Sequence, residues 1–307
     1  MAFQLVTYSL DEIPIGGVHV NGRVYALADV LGATKYATVL DALKEWDLVR
    51  PKLEQFAGEP SIAPPKSLAL REVDLLAPIP NPGTVFCAGG NYNDHGGEMD
   101  RVMNLKPVPN LKQRGQPPFF FLKNATGVCG PNSVTKADAD DLQFDWELEL
   151  TVIIGRLARN VTKEKALDYV AGFTVGNDLS FRKYVRRPDM HAGEPFEYDW
   201  FRQKSFDNSC PIGPWIVPAK QVTDVQNLEM KLWVGDELMQ DTSTSKMIFT
   251  VAEQVEELSR QLTLHPGDII MTGTGAGVGM GRGRFLQRGE TVRAQINGIG
   301  EFTHRIG

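Results

Sequence analysis

The sequence predicts a mixed, β-dominated fold: a large β-rich body with flanking helices and a small N-terminal β unit. Three observations carry this. After about Arg71 the chain runs through short β-branched and aromatic stretches separated by Gly and Pro turns, the pattern of strands in packed sheets. Only a few stretches show helical periodicity. Between the two regions lies Gly58-Glu-Pro-Ser-Ile-Ala-Pro-Pro-Lys66, a stiff Pro-rich linker. A chain of 307 residues has room for roughly two domains of about 150 residues each. The reading is therefore a small α+β accessory domain over 1–70 and a main domain over 71–307.

The elements follow in order. Val18-His-Val20, Asn21-Gly22 and Arg23-Val-Tyr-Ala-Leu27 give strand, two-residue turn, strand, the signal of a β-hairpin. From Thr38 to Phe56 there is no Gly, and Val39, Leu40, Leu43, Trp46, Leu48 and Leu53 are spaced for one or two short helices, with Pro51 suited to a first turn. In the main body Thr84–Ala88, Glu149–Ile154, Trp215–Val217 and Lys231–Val234 read as strands. Two helices should flank them: Thr162 to Val170, with Thr162 as N-cap, and Ile248 to Leu262, apolar at Val251, Val255, Leu258 and Leu262.

Lys and Arg number 32 against 38 Asp and Glu, a net charge of -6. A phosphate backbone or anionic membrane rewards a basic face, so the expected partner is small, with no nucleic acid and no membrane. Cys87, Cys129 and Cys210 are odd in number and widely spaced, which argues against a disulfide framework or a thiolate zinc site. No stretch approaches the roughly 18 apolar residues of a membrane span, and the first residues lack a basic n-region. The expected location is the reducing cytoplasm.

Gly273, Gly275, Gly277, Gly279, Gly281 and Gly283 fall on every second residue. Dinucleotide and P-loop fingerprints both need an odd separation between glycines, and the P-loop a Lys, so this run is not a phosphate loop. It is read as backbone able to approach a ligand and offer N–H groups, or as a flexible surface loop.

Asp145-Trp-Glu-Leu-Glu-Leu-Thr-Val-Ile-Ile154 alternates as a strand, with Trp146, Leu148, Leu150 and Val152 on one face and Asp145, Glu147 and Glu149 on the other. Same-face neighbours stand about 6.5–7 Å apart, so Glu147 and Glu149 can converge on one divalent cation of the Mg2+ type; a solvated acidic face is the plain alternative. Asp178 follows the apolar run Ala171–Val175 at the end of an expected strand, where ligands often sit, or in an Asx turn. In Asn91-Tyr-Asn-Asp-His-Gly-Gly-Glu-Met99, His95 and Glu98 at i, i+3 would meet on one helical turn. A carboxylate on one imidazole nitrogen leaves the other free to act as a general base.

Taken in order, these segments resemble the fumarylacetoacetate hydrolase family. The resemblance rests on Gly90-Asn-Tyr-Asn-Asp-His95-Gly-Gly-Glu98, Glu147-Leu-Glu149, Asn177-Asp178-Leu-Ser-Phe-Arg182, Lys204-Ser-Phe-Asp207 with Pro211-Ile-Gly-Pro214, and Pro266 to Gly279. It implies a β-roll core, Mg2+ or Mn2+ as cofactor, and a homodimer. It further implies Glu147, Glu149 and Asp178 as metal ligands, and His95, Glu98 and Lys204 as catalytic residues. Tyr92, Arg182, Gly273 and Thr274 would contact the substrate. Val185 stands where the family often has Gln, Gly275 where it has Pro, and Tyr184 to Gln203 is a longer insertion, either pocket-shaping or a surface loop. Arg182, Lys183, Arg186, Arg187 and Lys204 form a local basic group, which suits a small anionic 2-oxo acid. The implied activity is metal-dependent hydrolysis of a C–C bond in a 2,4-dioxo acid, an acylpyruvate, fumarylpyruvate or 2,4-diketo-3-deoxy sugar acid. The alternative is an oxaloacetate-type decarboxylase or a 2-oxo acid tautomerase using the same metal-enolate site, and a metal-stabilised binding protein is the non-enzyme reading.

Overall fold

A computed structural model describes residues 2–59, 65–102, 104, 106–137 and 141–307. Strand makes up 35% and helix 24%, so the β-dominated expectation holds. The hairpin forms as read: Ile13–Val20 pairs with Arg23–Ala26, Val20 opposite Arg23. Asn21 and Gly22 both have positive φ, 49° and 77°, the backbone a two-residue type I′ turn requires.

This hairpin is not a separate sheet. Gln4–Leu10 pairs with Ile13–Val20 on one side and, at Leu5 opposite Ile216, with Cys210–Pro218 on the other. The sheet then continues through Val170–Asn177, Leu148–Ile154, Ile269–Thr274, Val85–Gly89 and Phe119–Lys123. Ser67–Ala69 adds to Arg23–Ala26, and Asp74–Leu75 to Gln4–Leu10, so strands from both sides of residue 70 share one sheet. Of the linker, residues 60–64 lie outside the described residues.

Alternation along the carboxylate strand divides two cores. Trp146, Leu148, Leu150, Val152 and Ile154 pack with Met230, Leu232, Ala294 and Phe302 of the second sheet, whose order is Glu237–Ser243, Glu229–Val234, Thr291–Ile296, Gly300–Ile306 and Val134–Thr135. Ile153, on the acidic side, packs with Ala171, Ile212 and Ile269 and with Leu43, Trp46, Val49 and Leu53 of the N-terminal helices. The acids therefore share a face that continues into core, where water cannot screen them.

The helices depart from expectation in two places. Val39–Lys44 starts at a Thr38/Asp41 capping box, and a second helix runs Trp46–Gly58. Because burial of Trp46 starts the second helix there, Pro51 sits in its interior and not in its first turn. Pro51 is exposed, which suits a residue that offers no N–H. Thr162 to Val170 makes only a 3-10 turn, Ala166–Tyr169, before Val170 enters its strand. A helix this short does not repay its nucleation when a strand competes for its end. Val251–Gln261 forms as expected, with Thr250 and Glu253 closing a capping box. Cys87, Cys129 and Cys210 are free thiols. No helix among the described residues is long and apolar enough to cross a membrane.

Candidate active site

Strand register assembles the acids. Leu148 lies opposite Asn177 and Glu149 opposite Gly176, so Asp178, one residue past the strand end, arrives beside Glu147. Its N–H donates to the Glu147 carbonyl at 2.8 Å. Glu147, Glu149 and Asp178 are all buried, with carboxylate oxygens within 4.8 Å of one another. Asp145 does not join them: it accepts N–H bonds from Gly279 at 2.5 Å and Met280 at 3.1 Å and binds Arg182.

Three cations enter this cluster. The Lys204 ammonium donates to Glu147 Oε2 at 2.6 Å and to Asp178 Oδ2 at 2.7 Å. Lys123 donates to Asp178 Oδ1 at 2.6 Å and to the Leu179 carbonyl at 3.0 Å. Arg182 spans Asp145, through Nε at 2.8 Å, and Glu147. Burial opposes ionisation of Glu147, but Lys204 and Arg182 outweigh it and hold this carboxyl far below the usual range. Glu149 moves the other way: burial, then the charges of Asp178 and Glu147, push its carboxyl well up. Burial works against the Lys204 charge, yet Asp178 and Glu147 raise its pKa, so it stays an ammonium.

The segment after Val85–Gly89 is anchored by Asn91, whose side chain bonds the Phe249 carbonyl, the Thr272 carbonyl and the Phe249 N–H. A helix then runs Asn93–Val102. One turn brings His95 Nδ1 to 3.5 Å from Glu98 Oε2, an ion-pair distance short of a formed hydrogen bond. Glu98 is held by the Gly277 N–H at 3.0 and 3.1 Å. Asp94 fastens the helix to the second sheet through Thr242 Oγ1 at 2.8 Å and Lys246 Nζ at 2.9 Å.

His95, Glu147, Glu149, Arg182, Lys204 and Thr274 line one small cavity of about 90 Å³. Tyr92 is not brought to it. An isolated bridge to Met247 turns Tyr92 into the core, fully buried, with its hydroxyl on Met230 Sδ at 3.4 Å. Gly273 and Gly277 correct the reading of the glycine run. Both have positive φ, 96° and 99°, and their N–H groups serve Glu149 and Glu98, not open space. Thr274 lines the cavity, but its hydroxyl proton is committed to the Leu148 carbonyl at 2.9 Å. A Cβ at Gly275 would stand 2.5 Å from Thr242 Oγ1, which accounts for Gly at this position.

Of the basic group, only Arg182 and Lys204 reach the cavity. Lys183 pairs with Asp141, Arg186 with Glu197 and Arg187 with Asp199. The insertion is nonetheless part of the site, because Trp200–Lys204 is a short helix whose Trp200 lines the cavity and stacks on Phe121, ring centroids 5.0 Å apart. Sequence reasoning missed Phe121 and Lys123. The alternation of Phe119–Lys123, which puts Phe119, Phe121 and Lys123 on one face, was the available signal.

The acid cluster fits a divalent cation. Its donors are all carboxylate oxygen, the choice of hard cations such as Mg2+ and Mn2+, and the repulsion from Asp178 and Glu147 that adds to burial in raising Glu149 is what a dication relieves.

Residues 84–307 match the family described as fumarylacetoacetate (FAA) hydrolase, C-terminal. Oxaloacetate tautomerase fahd2, mitochondrial, of Xenopus laevis is 34% identical over 241 residues, 78% of this chain and 70% of that protein. The crystal structure of a putative HpcE protein from Mycobacterium smegmatis superposes with a TM-score of 0.79 at 31% identity, covering 98% of both chains. That of maleylpyruvate hydrolase from Sphingobium sp. SYK-6, in complex with manganese(II) ion and pyruvate, has a TM-score of 0.74 at 26% identity and covers 99% of this chain and 98% of its own. Five motifs in order, the buried acid cluster and a match over most of the length lead to one conclusion: the chain belongs to the fumarylacetoacetate hydrolase family.

Proposed function

We propose that this chain is a divalent-metal-dependent enzyme that hydrolyses a C–C bond in a 2,4-dioxo acid, giving pyruvate and a carboxylic acid. The observation that carries this is the shared cavity: a base with a carboxylate partner faces the same small space as Glu147, Glu149 and a buried ammonium, with Asp178 directly behind on that ammonium. Held by Glu147, Glu149 and Asp178, Mg2+ or Mn2+ would supply Lewis-acid polarisation of the 2-oxo acid. His95 takes a proton from water at Nε2 while Glu98 orients its ring. Lys204 faces the charge that develops on the enolate oxygen as the C–C bond breaks. Phe121 and Trp200 keep bulk water from that side.

A second reading has support of its own, since the Xenopus relative is named an oxaloacetate tautomerase. Here His95 moves a proton between carbon and the enol oxygen, and no water attacks. Incubation with Mg2+ or Mn2+ and a panel of acylpyruvates and oxaloacetate, with products followed by NMR, separates the readings. Pyruvate plus a new carboxylic acid supports hydrolysis; keto-enol exchange alone supports the second; no turnover of any 2-oxo acid sinks both. The homodimer belongs to the same proposal, and light scattering at the 34.0 kDa monomer mass would remove it.

Trp200 sets the size of the acyl group. Trp200→Ala is expected to raise kcat/KM for a bulky acylpyruvate relative to acetylpyruvate by about tenfold, the range that one or two methylenes of pocket contact command. An unchanged ratio across a chain-length series would remove Trp200 from specificity.

A further inference from the structure

Behind the acid cluster, out of the cavity, lies a buried relay that the proposed chemistry does not use. The Glu147 N–H donates to Asn177 Oδ1 at 2.9 Å. A backbone amide can only donate, so this bond decides which way the Asn177 amide points. Its Nδ2 is then directed at His304 Nε2, 2.8 Å away, and must donate there. His304 Nε2 therefore carries the lone pair, and the ring proton sits on Nδ1. That Nδ1 is buried and has no partner, and such an unpaired group is unfavourable in a core. His304 is fully buried on Gly300–Ile306, beside Phe302, where an apolar side chain would avoid that cost. Burial pushes the imidazole down to about 3, so the ring stays neutral and remains an acceptor.

We propose that His304 is a positioning residue for the acid cluster, acting through Asn177. The residue whose N–H Asn177 holds is Glu147, and the Glu147 carbonyl, in the next peptide, accepts the N–H of Asp178. Two of the three acids thus depend on the backbone of residue 147, which the Asn177 amide helps to place, and the amide itself is held from behind by the imidazole. Without an acceptor at that point the Asn177 amide is held by the Glu147 N–H alone, and the Glu147 and Asp178 oxygens hold their separation less firmly. Outer partners of ligating groups act in this way on metal affinity. The inference rests on the reading that the acids hold a dication.

The test compares wild type, His304→Gln, which keeps an acceptor oxygen where Nε2 stands, and His304→Leu, which keeps bulk and removes the acceptor. Mn2+ affinity is measured by calorimetry, and the thermal midpoint of each metal-free protein serves as the structural control. His304→Leu should bind Mn2+ about 10–100-fold more weakly, with His304→Gln close to wild type. Equal affinity of all three, or equal loss in both variants, overturns the role of His304. Wild type that binds no Mn2+ overturns the metal reading instead. Should the Leu variant fail to fold, nitrogen NMR of wild-type His304 still decides, because a proton on Nε2 contradicts the relay outright.

Discussion

Glu149→Gln should cost about 10³-fold in metal-dependent turnover and, at the same time, raise the thermal stability of the metal-free protein. The first effect follows from removing one of three carboxylates around a Lewis acid whose contribution is several kcal/mol, each 1.4 kcal/mol being about tenfold in rate. The second follows from the electrostatics of the cluster. Glu149 is 1% exposed, and burial with the charges of Asp178 and Glu147 pushes its carboxyl well above the ordinary range. A carboxyl with a raised folded pKa binds its proton more tightly in the folded protein than in the unfolded one. Its stabilising contribution is present at low pH and is lost as pH rises from the unfolded value, about 4.3, through the folded one. Metal-free wild type should therefore lose thermal stability over that interval more than the Gln variant, whose neutral amide can still accept the Gly273 N–H. Metal must displace the same proton, so Mn2+ affinity should tighten as pH rises. Thermal scans in chelator across a pH series, with calorimetry of Mn2+ binding, check both. A variant with undiminished turnover and an unchanged pH profile would remove Glu149 from the site.

His95→Ala should lower hydrolysis by about 10²–10⁴-fold, the usual contribution of a positioned general base, without unfolding the helix that carries it. That helix is held independently, by Asp94 on Thr242 and Lys246 and by Glu98 on the Gly277 N–H. Substrate affinity should change far less than kcat, because His95 acts on the water while Lys204 and the dication that the acids would hold bind the anion. Steady-state kinetics on the best substrate of the panel, with product identity, reads the effect. Full activity in this variant would leave the enolate chemistry to Lys204 and the acids alone and would favour decarboxylation over hydrolysis.

Much of the site was legible because its signals are local. Glu147 and Glu149 stand two apart on a strand, and His95 and Glu98 three apart on one helical turn, so backbone periodicity alone puts each pair on one face. The hairpin at Asn21-Gly22 was legible for the same reason, since its turn needs two residues of positive φ. The misreadings arise where a distant segment decides. Tyr92 sits inside the segment that carries His95 and Glu98, but pairing with Met247 and contact with Met230, far along the chain, draw it into the core. Pro51 and the 162–170 stretch were placed from propensity, which tertiary packing overrides when a buried Trp starts a helix early or a strand takes its last residue.

Trp200 and His304 had no spacing to announce them, and the alternation that puts Lys123 on one face with Phe121 does not say what that face meets. Lys123 reaches Asp178 from 55 residues away, and Asn177 meets His304 across 127. By itself, then, the sequence determined which side chains share a face, which acids could converge, which base has a carboxylate one turn away, and which family these segments resemble. The tertiary structure alone decided what each face meets. Strand register placed Asp178 beside Glu147, and burial turned an acidic strand face, which could equally have been solvated, into a crowded cluster in which neighbouring charges push Glu147 and Glu149 in opposite directions. Periodicity is a property of a few consecutive residues, whereas desolvation and charge coupling exist only once remote strands have excluded the water between them.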